Sequence, residues 1–156
     1  MNFFISLSLF FNFFCIVSPQ IYTPIDNNFK NIITSKILSS ERIINGFIYK
    51  FDDKDIFNTL KTVKNKGVKL DFICDKNSFD YANKLTNATL FDNMKPYDKL
   101  HAKSLLFDNK TLLIGSFNLD KTTFSTNFEI MLETTEKLYI DNFLQKFNQL
   151  KLILNF

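Results

Sequence analysis

The chain has one histidine, one arginine and two cysteines among 156 residues, and each scarcity removes a class of chemistry. With Arg42 as its sole arginine, bidentate guanidinium clamps on phosphate are almost absent, and lysine must carry phosphate contacts. Cys15 and Cys74 imply no disulfide framework. Cys74 lies in a compact apolar run and reads as a buried thiol on a strand. One imidazole, no cysteine pair at ligand spacing and no Asp/Glu/His cluster leave little to bind zinc, so neither a metal nor another cofactor is expected. A dense Lys/Arg block is missing too. A net charge of +3 and a pI near 8.8 permit an anionic partner, nucleic acid or acidic membrane, without requiring one. No internal repeat is visible.

The longest apolar run, Phe3 to Val17, is shorter than a usual membrane span. It fits the hydrophobic core of a secretory signal, with Ser18-Pro19 near its end, although no Lys or Arg precedes it. Three readings stay open: a cleaved export signal, an uncleaved membrane anchor, and a buried N-terminal strand. The organisation expected is a signal or anchor at residues 1–18 and one domain at 19–156. Export would make the chain secreted or periplasmic; retention would attach it to a membrane through residues 3–17. Cys15 follows Phe14, where a lipoprotein cleavage site needs a small residue, so lipidation is not expected.

What is there suits one globular domain: 46% hydrophobic residues on a chain long enough for a real core. Gln20 to Thr23 reads as a short strand, with a turn and helix start at Pro24 and Asp26-Asn27-Asn28. Phe29, Ile32, Ile33 and Ile37 recur at helical spacing. Ile43 to Phe51 reads as a strand, Asp52-Asp53 as an N-cap, and Ile56, Phe57, Leu60 and Val63 as one helix face ending at Gly67. Val68 to Cys74 follows as a strand, so this βαβ unit favours a parallel pair. Ser78 to Leu85 reads as a short helix, Leu90-Phe91 as a brief strand and Asn93 to Asp98 as a loop. Leu100 to Phe107 and Thr111 to Ile114 read as strands joined by a tight turn at Asp108-Asn109-Lys110. Phe128 to Leu132 reads as a further strand and Glu136 to Leu152 as a long amphipathic helix. The fold class expected is α/β, a mixed sheet flanked by helices on both faces. Asp52, Asp53 and Asp55 suit a helix N-terminus, and Lys61, Lys64, Lys66 and Lys69 a solvated helix end.

The lone His101 opens the run HAKSLLFDNKTLLIGSFN. It is followed at set spacings by Lys103, Asp108, Gly115-Ser116 and Asn118. Six fixed positions should coincide by accident on the order of once in a million chains of this size, so the spacing is not chance. On a strand, side chains two apart leave the same face, so imidazole and ammonium should point into one site while Ala102, Ser104 and Leu106 face packing. The hairpin should return Gly115-Ser116 and Asn118 beside them. Glycine permits a close backbone approach to a ligand. A nucleophile beside one cation and neutral donors suits the added negative charge of a phosphoryl transition state.

These residues resemble the phospholipase D superfamily, whose signature HxK(x)4D(x)6GSxN is met at every fixed position. The resemblance runs from about Ile21 to the C-terminus and is most specific from Leu100 to Glu129. It implies a metal-independent phosphodiester hydrolase working through a phosphohistidine on His101. Lys103 and Asn118 would hold phosphoryl oxygens, with Ser116 supporting them. An acidic residue in the family pairs with the histidine; Glu129 is the match, sharing a strand face with Asn127. Asp108 looks more structural than catalytic. Long members carry the motif twice and this chain carries it once. A nucleophile and a proton donor are both needed, so a homodimer with the active site at the interface is expected. The substrate expected is nucleic acid, an endonuclease reading, with a phospholipid headgroup as the alternative. An inactive module that binds nucleic acid or membrane through the same cleft is the third reading.

Overall fold

The computed structural model describes residues 18–155, except 26, 27 and 93. The apolar run of residues 3–17 lies outside them. The strands are β1 (Gln20–Tyr22), β2 (Ile43–Ile48), β3 (Lys69–Cys74), β4 (Thr89–Leu90), β5 (Ser104–Phe107), β6 (Thr111–Gly115) and β7 (Met131–Thr134). The helices are α1 (Phe29–Ser39), α2 (Lys54–Asn65), α3 (Lys76–Asn83) and α4 (Lys137–Leu154). The strands form one mixed sheet in the order β1-β7-β6-β5-β2-β3-β4. β2, β3 and β4 run parallel, and every other pairing is antiparallel.

Local chemistry explains the elements around β2. The Asp53 carboxylate caps α2 by accepting the N–H groups of Asp55 at 2.9 Å and Ile56 at 3.0 Å. Lys30 of α1 bridges Asp53 and Asp55, fastening α1 to α2. Gly67, at φ 100°, reverses the chain after α2 in a conformation that a side chain would strain. The crossover from β2 through α2 to β3 thus forms the expected parallel unit.

Alternation along the sheet divides the core in two. Ile44, Ile48, Leu70, Phe72 and Cys74 face one side, where Ile33 and Ile37 of α1, Ile56 and Leu60 of α2 and Ala82 of α3 cover them. Ile73, Leu106 and Leu112 face the other, against Ile140, Phe143 and Phe147 of α4, with Phe47 packed beside them. Helices therefore lie on both faces. Cys74 is free and buried as expected, and burial, helped by the Asp75 charge, pushes its thiol up to about 12.

α4 leaves part of its face bare. The register aligns Ile21, Leu132, Ile114, Ser104, Phe47 and Ile73 in one row across the sheet. At the α4 end of this row Ile73 and Ser104 are buried and Phe47 is partly buried, but Ile114 and Ile21 at the other end are exposed. Among the described residues no helix is long and apolar enough to cross a membrane.

The α4 layer depends on Phe147, which is fully buried, with its ring 5.3 Å from that of Phe47 and 5.8 Å from that of Phe143. Phe147→Ala should therefore lower stability by about 3–5 kcal/mol. Urea unfolding followed by circular dichroism measures it; a loss below 1 kcal/mol would mean that α4 is not a packed layer of the domain.

Candidate functional site

The site forms where the ladder between β2 and β5 runs out. Past β2 the backbone leaves the sheet: Leu119 N–H donates to Lys50 O at 3.0 Å, and Leu119 O accepts from Asp52 and Asp53, each at 3.1 Å. Residues 100–103 consequently have no β2 partner. The expected strand from Leu100 instead begins at Ser104, and Leu100 N–H donates to the buried Asp75 carboxylate at 3.0 Å. His101, Ala102 and Lys103 form an extended approach to β5, and Lys103 O still accepts from Gly115 N–H at 3.3 Å. Ala102, expected to face packing, is exposed because no element covers it there.

His101 and Lys103 converge as expected, around a residue that the motif does not contain. The exposed His101 imidazole meets the Tyr49 ring at a centroid distance of 4.5 Å and 63°. The Lys103 ammonium sits 4.5 Å above the Tyr49 ring and donates to His101 O at 2.8 Å. The Lys103 residue is only 8% exposed. Burial pulls its ammonium below the usual lysine value; the Glu129 charge opposes that and the Lys50 charge adds to it.

The hairpin delivers the rest. Gly115 is required by packing, since a Cβ would stand 2.1 Å from Ile130 O. That close approach lets Ser116 pair with the segment entering β7: its N–H donates to Ile130 O at 3.0 Å, and its Oγ accepts from Ile130 N–H at 3.1 Å. Ser116 Oγ also donates to Glu129. Asn118 is held by its N–H, which donates to Thr123 Oγ1 at 2.9 Å, while Asp120 Oδ1 fixes Thr123 by accepting its N–H at 2.8 Å. Asn118 Oδ1 is buried without a hydrogen-bond partner, beside a small cavity that Tyr49, Lys50 and Lys103 also line.

Glu129 departs from expectation. Its carboxylate accepts from Ser116 and from Asn127 Nδ2, the latter at 3.0 Å, and among the described residues no hydrogen bond joins it to His101. The antiparallel pairing of Ser116 with Ile130 puts Glu129 against Ser116, while His101 leans on Tyr49. The expected strand from Phe128 begins only at Met131, after Asn127 closes the preceding turn by donating its N–H to Thr122 O at 3.0 Å. Asn127 and Glu129 nevertheless meet, as their spacing suggested.

Asp108 stands apart from the cluster, at the far end of β5. With Asn109 it takes positive φ, 53° and 57°, at the centre of the hairpin turn. Its carboxylate accepts the N–H groups of Glu41, Arg42 and Ile43 at 2.9, 2.8 and 2.9 Å. It thereby satisfies the entry to β2, which supports the structural reading. Tyr49, Lys50 and Thr123 escaped the sequence reading, because no spacing rule ties the end of β2 to a histidine so far along the chain. Among the described residues no three His, Cys, Asp or Glu side chains converge as metal ligands.

Fold and site together define a mixed α/β domain that gathers one imidazole and one buried ammonium on an aromatic ring at a strand end, with an amide on the cavity beside the ammonium. Residues 33–151 match the family model described as "Cardiolipin synthase, PLD-like domain", and the chain belongs to that family, within the phospholipase D superfamily. Cardiolipin synthase A of Buchnera aphidicola subsp. Schizaphis graminum is 28% identical, with 72% of this chain aligned; the chain spans 28% of that relative's length. NucT from Helicobacter pylori superposes with a TM-score of 0.76 at 23% identity, over 85% of this chain and 94% of that one. Nuc from Salmonella typhimurium, a phospholipase D family member, gives 0.71 at 23% identity, over 85% and 92%. Family and fold thus agree with the expectation from the motif.

Burial raises the Asp108 carboxyl, but the three N–H donors and Arg42 outweigh it and hold it below its ordinary value. A depressed folded-state pKa gives stability that is full above the unfolded value, about 3.9, and is lost as pH falls through the folded one. Asp108→Asn should cost about 1–3 kcal/mol near pH 7, and the gap from the parent should close below about pH 4. Activity per folded molecule should persist. Urea titrations across pH test this; a gap independent of pH would refute it.

Proposed function

We propose that this chain is a metal-independent phosphodiester hydrolase that cuts nucleic acid through a phosphohistidine on His101. The observation that carries the reading is the meeting of the exposed imidazole and the buried Lys103 ammonium on the Tyr49 ring, with Asn118 on the small cavity that Tyr49 and Lys103 line. An imidazole nitrogen of His101 attacks phosphorus, an N–P bond forms, and the bond to the leaving oxygen breaks. Lys103 and Asn118 hold the non-bridging oxygens as negative charge builds on them. Ser116, tied to Glu129, supports that arrangement. Water then attacks phosphorus, the N–P bond breaks, and His101 is restored.

The leaving oxygen needs a proton, and the chain has a single imidazole. A second copy supplies it: the two motifs face each other in a homodimer, and the partner's imidazole protonates the leaving oxygen and then takes a proton from the attacking water. A groove of about 470 Å³ supports this arrangement; it opens at His101 and Ala102 and continues along Leu112, Ile114, Leu132 and Tyr139. This is the stretch of sheet that α4 leaves bare. Nucleic acid is favoured by the net positive charge, by exposed Lys50 beside the site and by exposed Lys99 two residues before His101 in sequence. The same apolar groove favours a second reading, in which an acyl chain occupies it and a phospholipid headgroup is hydrolysed.

Plasmid DNA should be nicked in excess EDTA, and His101→Ala should lower the rate by at least about a thousandfold. Loss of cutting in EDTA would overturn metal independence. Hydrolysis of cardiolipin or phosphatidylcholine with no nicking would make the second reading the function. A folded monomer, by light scattering, that still turns over would refute the homodimer.

A further inference from the structure

Lys103 poses a problem that the motif does not solve. A nearly buried ammonium is costly unless something compensates its charge. Among the described residues no carboxylate forms an ion pair with it. Its hydrogen bond goes to a neutral carbonyl, His101 O. Besides Tyr49, three charged or titratable side chains lie about it: His101 preceding β5, Glu129 preceding β7, whose charge favours the ammonium, and Lys50 following β2. Lys50 works against the ammonium.

The remaining neighbour is Tyr49, whose ring carries the ammonium 4.5 Å from its centroid and also meets the imidazole at 4.5 Å. Aromatic faces attract cations through their quadrupole, and more strongly away from water. The backbone that carries the ring is also well anchored. Tyr49 O accepts from the buried Ser78 hydroxyl at 2.7 Å, while the carbonyls on either side, of Ile48 and Lys50, accept from Asp75 at 2.9 Å and Leu119 at 3.0 Å.

We propose that Tyr49 is the positioning residue of this site, its ring holding the Lys103 ammonium charged and in register with His101. A carboxylate in its place would also stabilise the ammonium but would cancel the charge that a phosphoryl group must feel. A π face holds the cation and leaves that charge available to substrate. The role uses the ring and not the hydroxyl.

The kinetic side rests on the phosphodiesterase reading; the titration side does not, so the two can fail separately. Lysine-labelled full-length chain is titrated by NMR without substrate, with Lys103→Gln identifying the signal. The lone imidazole of His101 assigns itself. Tyr49→Phe should leave the Lys103 titration, the His101 signals and the rate unchanged. Tyr49→Leu keeps apolar bulk without the quadrupole, and should move the Lys103 titration down by about half to one pH unit. The alkaline limb of kcat/KM should move with it, which a merely structural role would not produce. If leucine impairs folding, ring-fluorinated phenylalanines at position 49 replace it, and the titration should fall with each added fluorine. An unmoved Lys103 titration, or equal effects of phenylalanine and leucine, would overturn the role. A shifted titration in a chain that cuts no phosphodiester would keep the role and refute the reaction.

Discussion

Leu119 forms a backbone clasp with residues 50–53, donating to Lys50 and accepting from Asp52 and Asp53. The clasp pulls the end of β2 out of the ladder and toward the loop that follows β6. Because of it, residues 100–103 reach the cleft without a β2 partner, Tyr49 lies under the Lys103 ammonium, and Asn118, next to Leu119 in sequence, is brought beside them. The same two acceptor bonds fix the start of α2, whose cap is Asp53. Without this clasp the motif residues would lie on two strands with no reason to meet at one point.

The site balances two electrostatic demands. A phosphoryl group needs an uncancelled positive charge beside it, whereas a protein interior penalises such a charge. Lys103 is nearly buried and unpaired, with its carbonyl and aromatic contacts in place of a salt bridge. Glu129 is close enough to favour the ammonium but spends its hydrogen bonds on Ser116 and Asn127. The carboxylate therefore stiffens the serine while its field still reaches the lysine. Asp108, by contrast, serves the backbone at the opposite end of β5, so one motif contains both reactive and architectural members.

Much of this could be read from the chain. The helix around Ile56, Leu60 and Val63, its Asp cap, its Gly67 stop and the parallel strand after it follow from local rules about capping and periodicity. The turn at Asp108 and Asn109 follows from the tolerance of those residues for positive φ. Strand ends differ from the sequence pattern where a strand loses its partner rather than its pattern: Leu100 to Lys103 keep strand-like spacing, but β2 has already turned away. Glu129 lies in the neighbourhood that its spacing suggests, but its hydrogen bonds go to Ser116 and Asn127. Its separation in sequence cannot tell that Ser116 pairs with Ile130 and thereby meets the carboxylate.

The sequence alone determined which chemistry is available, because a single imidazole at a set distance from a lysine and a GSxN segment admits few uses. It determined the elements as well, because caps, turns and hydrophobic periods act within a few residues. Only the tertiary structure decided what touches what: Tyr49 against His101 and Lys103, Glu129 against Ser116, and the bare sheet beyond α4 opening at the histidine. Those contacts depend on strand register and on where pairing stops. Both are set by the whole sheet, since one residue of slip would turn every side chain to the other face.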